Sequence, residues 1–250
     1  MHAPTQAPSA AVRVCAWGGA AVFAASLLYF LFSYDVTFVR PSEGELAIGT
    51  IAWNTALFSV FALHHSLFAR AGIRASIQRT IPTLERSFYV WIASLLFILV
   101  CLLWQPMAGV VWKLYGAPAY LLRLLHLTGI VLAVASAAAI DIWELSGVKQ
   151  VRPGNAGAKD PAYTEDPADE SEFKTTGPYG LVRHPIYLGW FLLVFAVPHM
   201  TMTRLVFAIV SSVYVLIAIP FEERSLVASS AGAYERYKAK VRFRVVPGVF

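Results

Sequence analysis

The chain has 250 residues, of which 58% are hydrophobic and 14% charged, and its formal net charge is +5. An ordinary soluble domain is about 45–50% apolar and about 25% charged, and a folded globule needs a polar skin that this composition does not supply. These values exclude a soluble enzyme, a disordered chain and a secreted disulfide scaffold, and they leave a polytopic α-helical membrane protein.

A spanning helix needs about 20 mainly apolar residues. In chain order the runs that approach this are Val12–Tyr34, Leu46–Ala69, Phe88–Trp112, Ala119–Ile140, Pro185–Val197 and Arg204–Pro220. The first is too long for the apolar core of a signal peptide and reads as a retained helix. Cys15 and Cys101 lie inside apolar runs and read as small buried hydrophobes, with no metal-binding spacing. The longest non-apolar stretch is Asp141–His184. Its middle, Arg152–Glu172, is rich in Pro, Gly, Asp and Glu and reads as a flexible cytoplasmic insertion. Pro198-His199 and Thr201–Thr203 predict a tight turn, so the last two runs form a helical hairpin whose shortness points to tilt or to packing against other helices. The tail beyond Pro220, residues 221–250, is polar and basic. Tyr234, Tyr237 and Val241 recur in it at helical spacing, as expected of a helix lying along the inner membrane surface.

The basic residues flank apolar runs, which membrane orientation alone produces, and no basic-aromatic nucleic-acid module is present. With six spans and the N-terminus inside, sixteen of the 20 Lys and Arg residues fall on the inner side. Only Arg40, Lys113, Arg123 and Arg204 fall outside. This bias predicts that both termini are cytoplasmic in a multi-pass protein of a bacterial inner membrane.

The densest chemical cluster is Thr176–Gly189. Here a cytoplasmic loop enters a helix with Pro185 at its first position and His184 at or beside its N-cap. Arg183 and His184 add positive charge to the free N–H groups of that helix end, which favours an anionic group. Tyr187 offers a cation an aromatic face, and Gly189 permits close approach to the helix by a ligand or by another helix. The second cluster is Pro220–Leu226, followed by Gly232, Tyr234 and Tyr237. Glu222 and Glu223 point about 100° apart on a helix, so one can face a pocket while the other meets water. Arg183 is a candidate partner for a carboxylate there.

The string Arg183-His-Pro-Ile-Tyr-Leu-Gly189, followed by Glu222-Glu-Arg-Ser-Leu226, Gly232-Ala-Tyr-Glu-Arg-Tyr237 and Val246-Pro247, resembles the membrane methyltransferase superfamily. That superfamily contains the isoprenylcysteine carboxyl methyltransferases and the phospholipid N-methyltransferases. The resemblance implies an S-adenosyl-L-methionine pocket at the cytoplasmic face. It would be formed by Tyr179, Arg183, His184, Pro185, Tyr187, Gly189, Glu222, Glu223, Tyr234 and Tyr237. His64-His-Ser-Leu-Phe-Ala-Arg70, Ile81-Pro82, Glu85-Arg-Ser-Phe-Tyr89 and Leu145-Ser-Gly-Val-Lys-Gln-Val151 are similar to the NnrU-like branch, which includes the methanethiol S-methyltransferases that make dimethyl sulfide. The acidic insertion between Gln150 and Phe173 departs from that pattern.

The expectation is one all-α domain over residues 1–250, a polytopic membrane bundle of about six transmembrane helices with a cytoplasmic cofactor pocket. Its implied activity is methylation of a small thiol, a substrate that can also reach the pocket through the bilayer. Arg183, His184, Tyr187 and Glu222 would form the reaction centre, with His65 as a further candidate base and Gln150 as a cofactor contact. A thiol reacts as its thiolate, so a base is needed. Other acceptors stay open at this point: a prenylcysteine carboxylate, for which Arg224 is the available cation, a lipid amine, or another thiol. So does a non-enzymatic carrier with His64, His65 and His126 as haem or metal ligands. Of the adjacent His64 and His65 at most one is expected to face a pocket, and His126 alone reads as a packing histidine. The sequence sets no oligomeric state.

Overall fold

A computed structural model describes residues 8–44, 46–68, 71–81, 84–152 and 173–249. The acidic insertion, apart from Arg152, lies outside the described residues, as do Ala69, Arg70 and Pro82 of the motif segments. The elements in chain order are α1 (Ala10–Phe32), a π-helical extension (Ser33–Thr37), α2 (Ile48–Phe68), α3 (Ala71–Thr80), α4 (Glu85–Leu103), β1 (Val110–Lys113), α5 (Gly116–Ile140) and α6 (Ile142–Leu145). A short 3-10 turn (Lys149–Val151), α7 (Pro178–Leu181), α8 (Pro185–Phe195), β2 (His199–Thr201), α9 (Met202–Ser229) and α10 (Ala233–Lys240) follow.

Among the described residues, four helices are long and apolar enough to cross a membrane: α1 with its extension, α4, α5 and α9. This is fewer than the six spans expected. α2 has the length, 21 residues, but Asn54, His64 and His65 dilute its apolar character. α8 is strongly apolar but only 11 residues long. Large apolar side chains stand exposed along the long helices, such as Leu28 at 68% on α1 and Val131 at 66% on α5, as lipid-facing positions require.

Several predicted boundaries move. The third run was expected to reach Trp112, but α4 stops at Leu103, shortly before Pro106, which disfavours helix at the residue before it. The freed helix end is satisfied from α2. Trp53 Nε1 donates to the Leu103 carbonyl at 3.1 Å, and the Asn54 side chain exchanges two hydrogen bonds with the Gln105 backbone, each at 2.9 Å. The turn expected at 198–203 is instead strand β2, paired with β1 and running directly into α9. The Pro198 carbonyl accepts from the Leu114 N–H at 2.8 Å. α9 continues through Pro220 to Ser229 rather than ending there, since one missing N–H is tolerated in an apolar helix whose neighbours absorb the defect. α3 was not anticipated, because a short polar segment carries no long apolar run.

The chain forms two compact units. The first comprises Met1–Gly109, Asp141–Ala158 and Thr201–Thr203. In it α1 and α4 meet at small residues. A Cβ added to Gly18 or Gly19 would lie 3.0 Å from the Trp91 ring, whose Nε1 donates to the Cys15 carbonyl at 2.9 Å. Phe97 of α4 packs its ring, tilted, against Phe30 of α1 and Phe61 of α2, and Ala16, Val148 and Val151 form a further buried cluster.

The second unit comprises Val110–Ile140, Lys159–Met200 and Arg204–Phe250. α5 and α8 touch backbone to backbone. A Cβ on Gly129 would fall 2.7 Å from the Gly189 carbonyl oxygen, and one on Gly189 would fall 2.7 Å from that of Gly129. His126 is the packing histidine expected, its Nδ1 held 2.8 Å from the Leu193 carbonyl. α8 meets α9 through Trp190, which packs on Phe207 and donates to Ser211 Oγ. α10 was expected to lay an apolar face on the membrane. Instead Tyr234, Tyr237 and Val241 are buried within the unit against Phe173, Leu226 and Val227. Gly232, at φ +88°, makes the left-handed turn between α9 and α10.

Candidate active site

The two sequence clusters converge in the second unit. The loop into α8 and the segment after α10 run side by side: the Arg183 N–H donates to the Phe243 carbonyl at 2.9 Å and the His184 N–H to the Arg244 carbonyl at 2.8 Å. Pro185 opens α8 with His184 at the N-cap, as the spacing predicts. The anion beside this helix end is the chain's own. Glu222 Oε2 lies 3.7 Å from His184 Nδ1 and accepts from the Tyr187 hydroxyl at 2.7 Å.

The adjacent carboxylates have opposite environments, though not with one of them free in water. Glu222 has a 44% exposed side chain, whereas that of Glu223 is 7% exposed. Glu223 Oε1 accepts from Arg183 Nε at 2.7 Å and from the Tyr234 hydroxyl at 3.2 Å, and lies 3.4 Å from His184 Nε2. Glu223 Oε2 faces Arg244 Nε at 3.3 Å. Arg183 Nη1 also donates to the carbonyls of Val241 and Arg242. A buried carboxylate of this kind is sustained only by such a set of donors. The imidazole of His184 stacks on Tyr187, with ring centroids 5.3 Å apart. Burial lowers the His184 pKa against the opposing pull of Glu222 and Glu223, so the ring is neutral near pH 7. The Tyr237 hydroxyl donates to the Tyr179 carbonyl at 2.8 Å, and burial pushes its pKa up to about 12.

These groups border a cavity of about 390 Å³, within the size range of small-molecule sites. Of the anticipated residues, Tyr179, Arg183, His184, Tyr187, Glu222, Tyr234 and Tyr237 line it. Glu223 and Pro185 are buried and are not among its lining residues. Gly189 does not line it either: what approaches this glycine is the backbone of α5, so packing accounts for it. Arg224 is exposed, with its guanidinium over the Phe221 ring, and does not border the cavity. Sequence reasoning missed Phe173 and Lys174 at the end of the insertion, Ala139 and Ile140 at the end of α5, Ile186 and Leu226 in the wall, and Arg244 on Glu223. The apolar ones carry no signal apart from the helix ends they occupy. Lys174 and Arg244 read as ordinary positive-inside charges.

His65 and Gln150 belong to the first unit. His65 Nδ1 lies 2.8 Å from the Tyr89 hydroxyl, and His64 stacks on both Phe68 and Tyr89, so the adjacent histidines meet one tyrosine ring. Gln150 lies in the 3-10 turn. Among the described residues no group of three His, Cys, Asp or Glu side chains is placed to hold a metal ion.

Methanethiol S-methyltransferase 2 of Bradyrhizobium diazoefficiens is 33% identical over 236 residues, which cover 92% of this chain and 87% of that protein. Methanethiol S-methyltransferase of Mycobacterium tuberculosis is 35% identical over 231 residues, 87% of this chain and 91% of that protein. The chain belongs to the methanethiol S-methyltransferase family. Nurim of Xenopus laevis is a more distant relative of this family member, 28% identical over 70% of the chain and 61% of Nurim. No family model matches the chain, and no solved structure does. The branch read from the His64–Tyr89 and Leu145–Val151 segments is therefore the right one, and the two methyltransferases match over most of this chain.

Proposed function

We propose that this protein methylates a small thiol, with methanethiol as acceptor and S-adenosyl-L-methionine as donor, in the cavity between α5, α7, α8, α9 and α10. The observation that carries the reading is the half-exposed Glu222, held by Tyr187, as the one carboxylate among the described lining residues of a cavity walled largely by aromatic and aliphatic side chains, with Lys174, Arg183 and His184 also at its border. The residues present suit the donor. A carboxylate can take its ammonium or ribose hydroxyls, and the rings of Tyr179, Tyr187, Tyr234 and Phe173 offer faces for a sulfonium and a base. The sulfonium supplies a methyl group that is already activated.

The chain's own part is then alignment, exclusion of water and removal of one proton. Ala139, Ile140, Ile186 and Leu226 provide an apolar wall for a small thiol. The proton of the thiol passes to the neutral His184, flanked by Glu222, so that the sulfur attacks as thiolate. Arg183, paired with Glu223 and bonded to the carbonyls of Val241 and Arg242, positions the tail against the cavity rather than touching the acceptor. We place the cavity on the cytoplasmic side, in keeping with the bias of Lys and Arg, and count α2 and the short, apolar α8 as the remaining two of six spans.

The test is headspace gas chromatography of membranes carrying the protein, supplied with methanethiol and S-adenosylmethionine. Dimethyl sulfide should form, and Glu222→Gln should lower the rate at least about tenfold, the loss of one charge-assisted interaction. Binding of S-adenosylhomocysteine without dimethyl sulfide would move the acceptor elsewhere. Absence of both would end the reading.

A further inference from the structure

The charges around the cavity are not all paired with one another. Three lining side chains can be cationic, Arg183, His184 and Lys174, against one carboxylate, Glu222. The charge of Arg183 is already paired, with Nε on Glu223, and its Nη1 donates to two backbone carbonyls. His184 is held neutral near pH 7 by burial. Lys174 is different. Its ammonium donates to the carbonyl of Ala139 in the last turn of α5, and it has no carboxylate partner among the described residues. An ammonium has three donors, so two have no partner among the described residues. The carbonyl of a helix end also holds the long, flexible stem in place, which reduces the ordering that ligand binding would otherwise require.

We propose that Lys174 is the carboxylate-binding residue of this cavity, holding the α-carboxylate of the donor's amino-acid end while Glu222 receives its ammonium. This assignment rests on the donor named under the proposed function. An amino-acid end carries one negative and one positive group, and the wall presents one uncompensated cation and one half-exposed anion. A carboxylate entering without Lys174 would lose its hydration beside Glu222 and gain no charged partner. Lys174 thereby fixes which way round the donor lies and discriminates against donors that lack the carboxylate.

The experiment is calorimetric binding to the full chain in detergent, with S-adenosylhomocysteine and its decarboxylated counterpart as probes. The wild type should prefer S-adenosylhomocysteine. Lys174→Met should weaken that ligand at least about tenfold, the usual scale for losing a charge-assisted bond, and leave the decarboxylated ligand within about twofold. Lys174→Arg should restore most of the preference. Equal binding of S-adenosylhomocysteine by wild type and Lys174→Met would overturn the assignment. So would an equal loss for both ligands, which would reduce Lys174 to a cap on α5. If the wild type binds neither probe, the donor itself is wrong and the proposed function falls first.

Discussion

Glu222 and Glu223 are neighbours in sequence with different physical roles. Glu223 is buried among Arg183, Arg244 and the Tyr234 hydroxyl. Its replacement by Gln leaves buried Arg183 without a counter-charge, which typically costs about 3–5 kcal/mol. The melting temperature of Glu223→Gln in detergent should fall accordingly, whereas Glu222→Gln, at an exposed position, should melt within about 1 kcal/mol of wild type. His184 adds a pH dependence. Its folded pKa lies below its ordinary value of 6.5, so the unfolded chain takes up the proton first as pH falls. The stability from the neutral ring is complete above about pH 6.5 and is lost on descent toward the depressed value. Between about pH 7.5 and about pH 5.5 the melting temperature should drop more in wild type than in His184→Gln; equal drops would assign the effect to another group.

At the scale of elements, the contact that sets the cavity wall is the glycine pair between α5 and α8. Each glycine lets the other helix's backbone come within reach of where a Cβ would sit, at 2.6–2.8 Å. Overpacking such a contact costs about 1–3 kcal/mol or more. Gly129→Val or Gly189→Ala should therefore destabilise the protein and weaken S-adenosylhomocysteine binding together, since Ala139, Ile140 and Ile186 of the wall belong to these helices. Thermal melts and calorimetry on the same samples check this. Gly189 was legible from the motif only as a place of close approach. That the partner is a helix and not a ligand depends on Gly129, 60 positions earlier in the chain, and no local pattern carries that pairing.

At the scale of the whole molecule, the tail closes the site. The segment Val241–Arg244 accepts two hydrogen bonds from the Arg183 guanidinium and pairs with the backbone of Arg183 and His184. A chain ending at Lys240 should stay in the membrane fraction, because the four long apolar helices are intact, and should lose binding of S-adenosylhomocysteine. Retained binding would make the tail dispensable.

Composition and apolar run length determined by themselves that this is a membrane helical protein, because a chain so poor in charge can satisfy its apolar side chains only in lipid. The motif around Arg183–Gly189 and Glu222–Tyr237 determined which stretches would meet and which family they belong to. Only the tertiary structure decided the division of labour: which glutamate is buried, that Arg183 serves its neighbours, that Lys174 borders the cavity, and where α4 and α9 end. Those outcomes depend on desolvation and on long-range hydrogen-bond partners, which are properties of a folded neighbourhood and not of a local pattern.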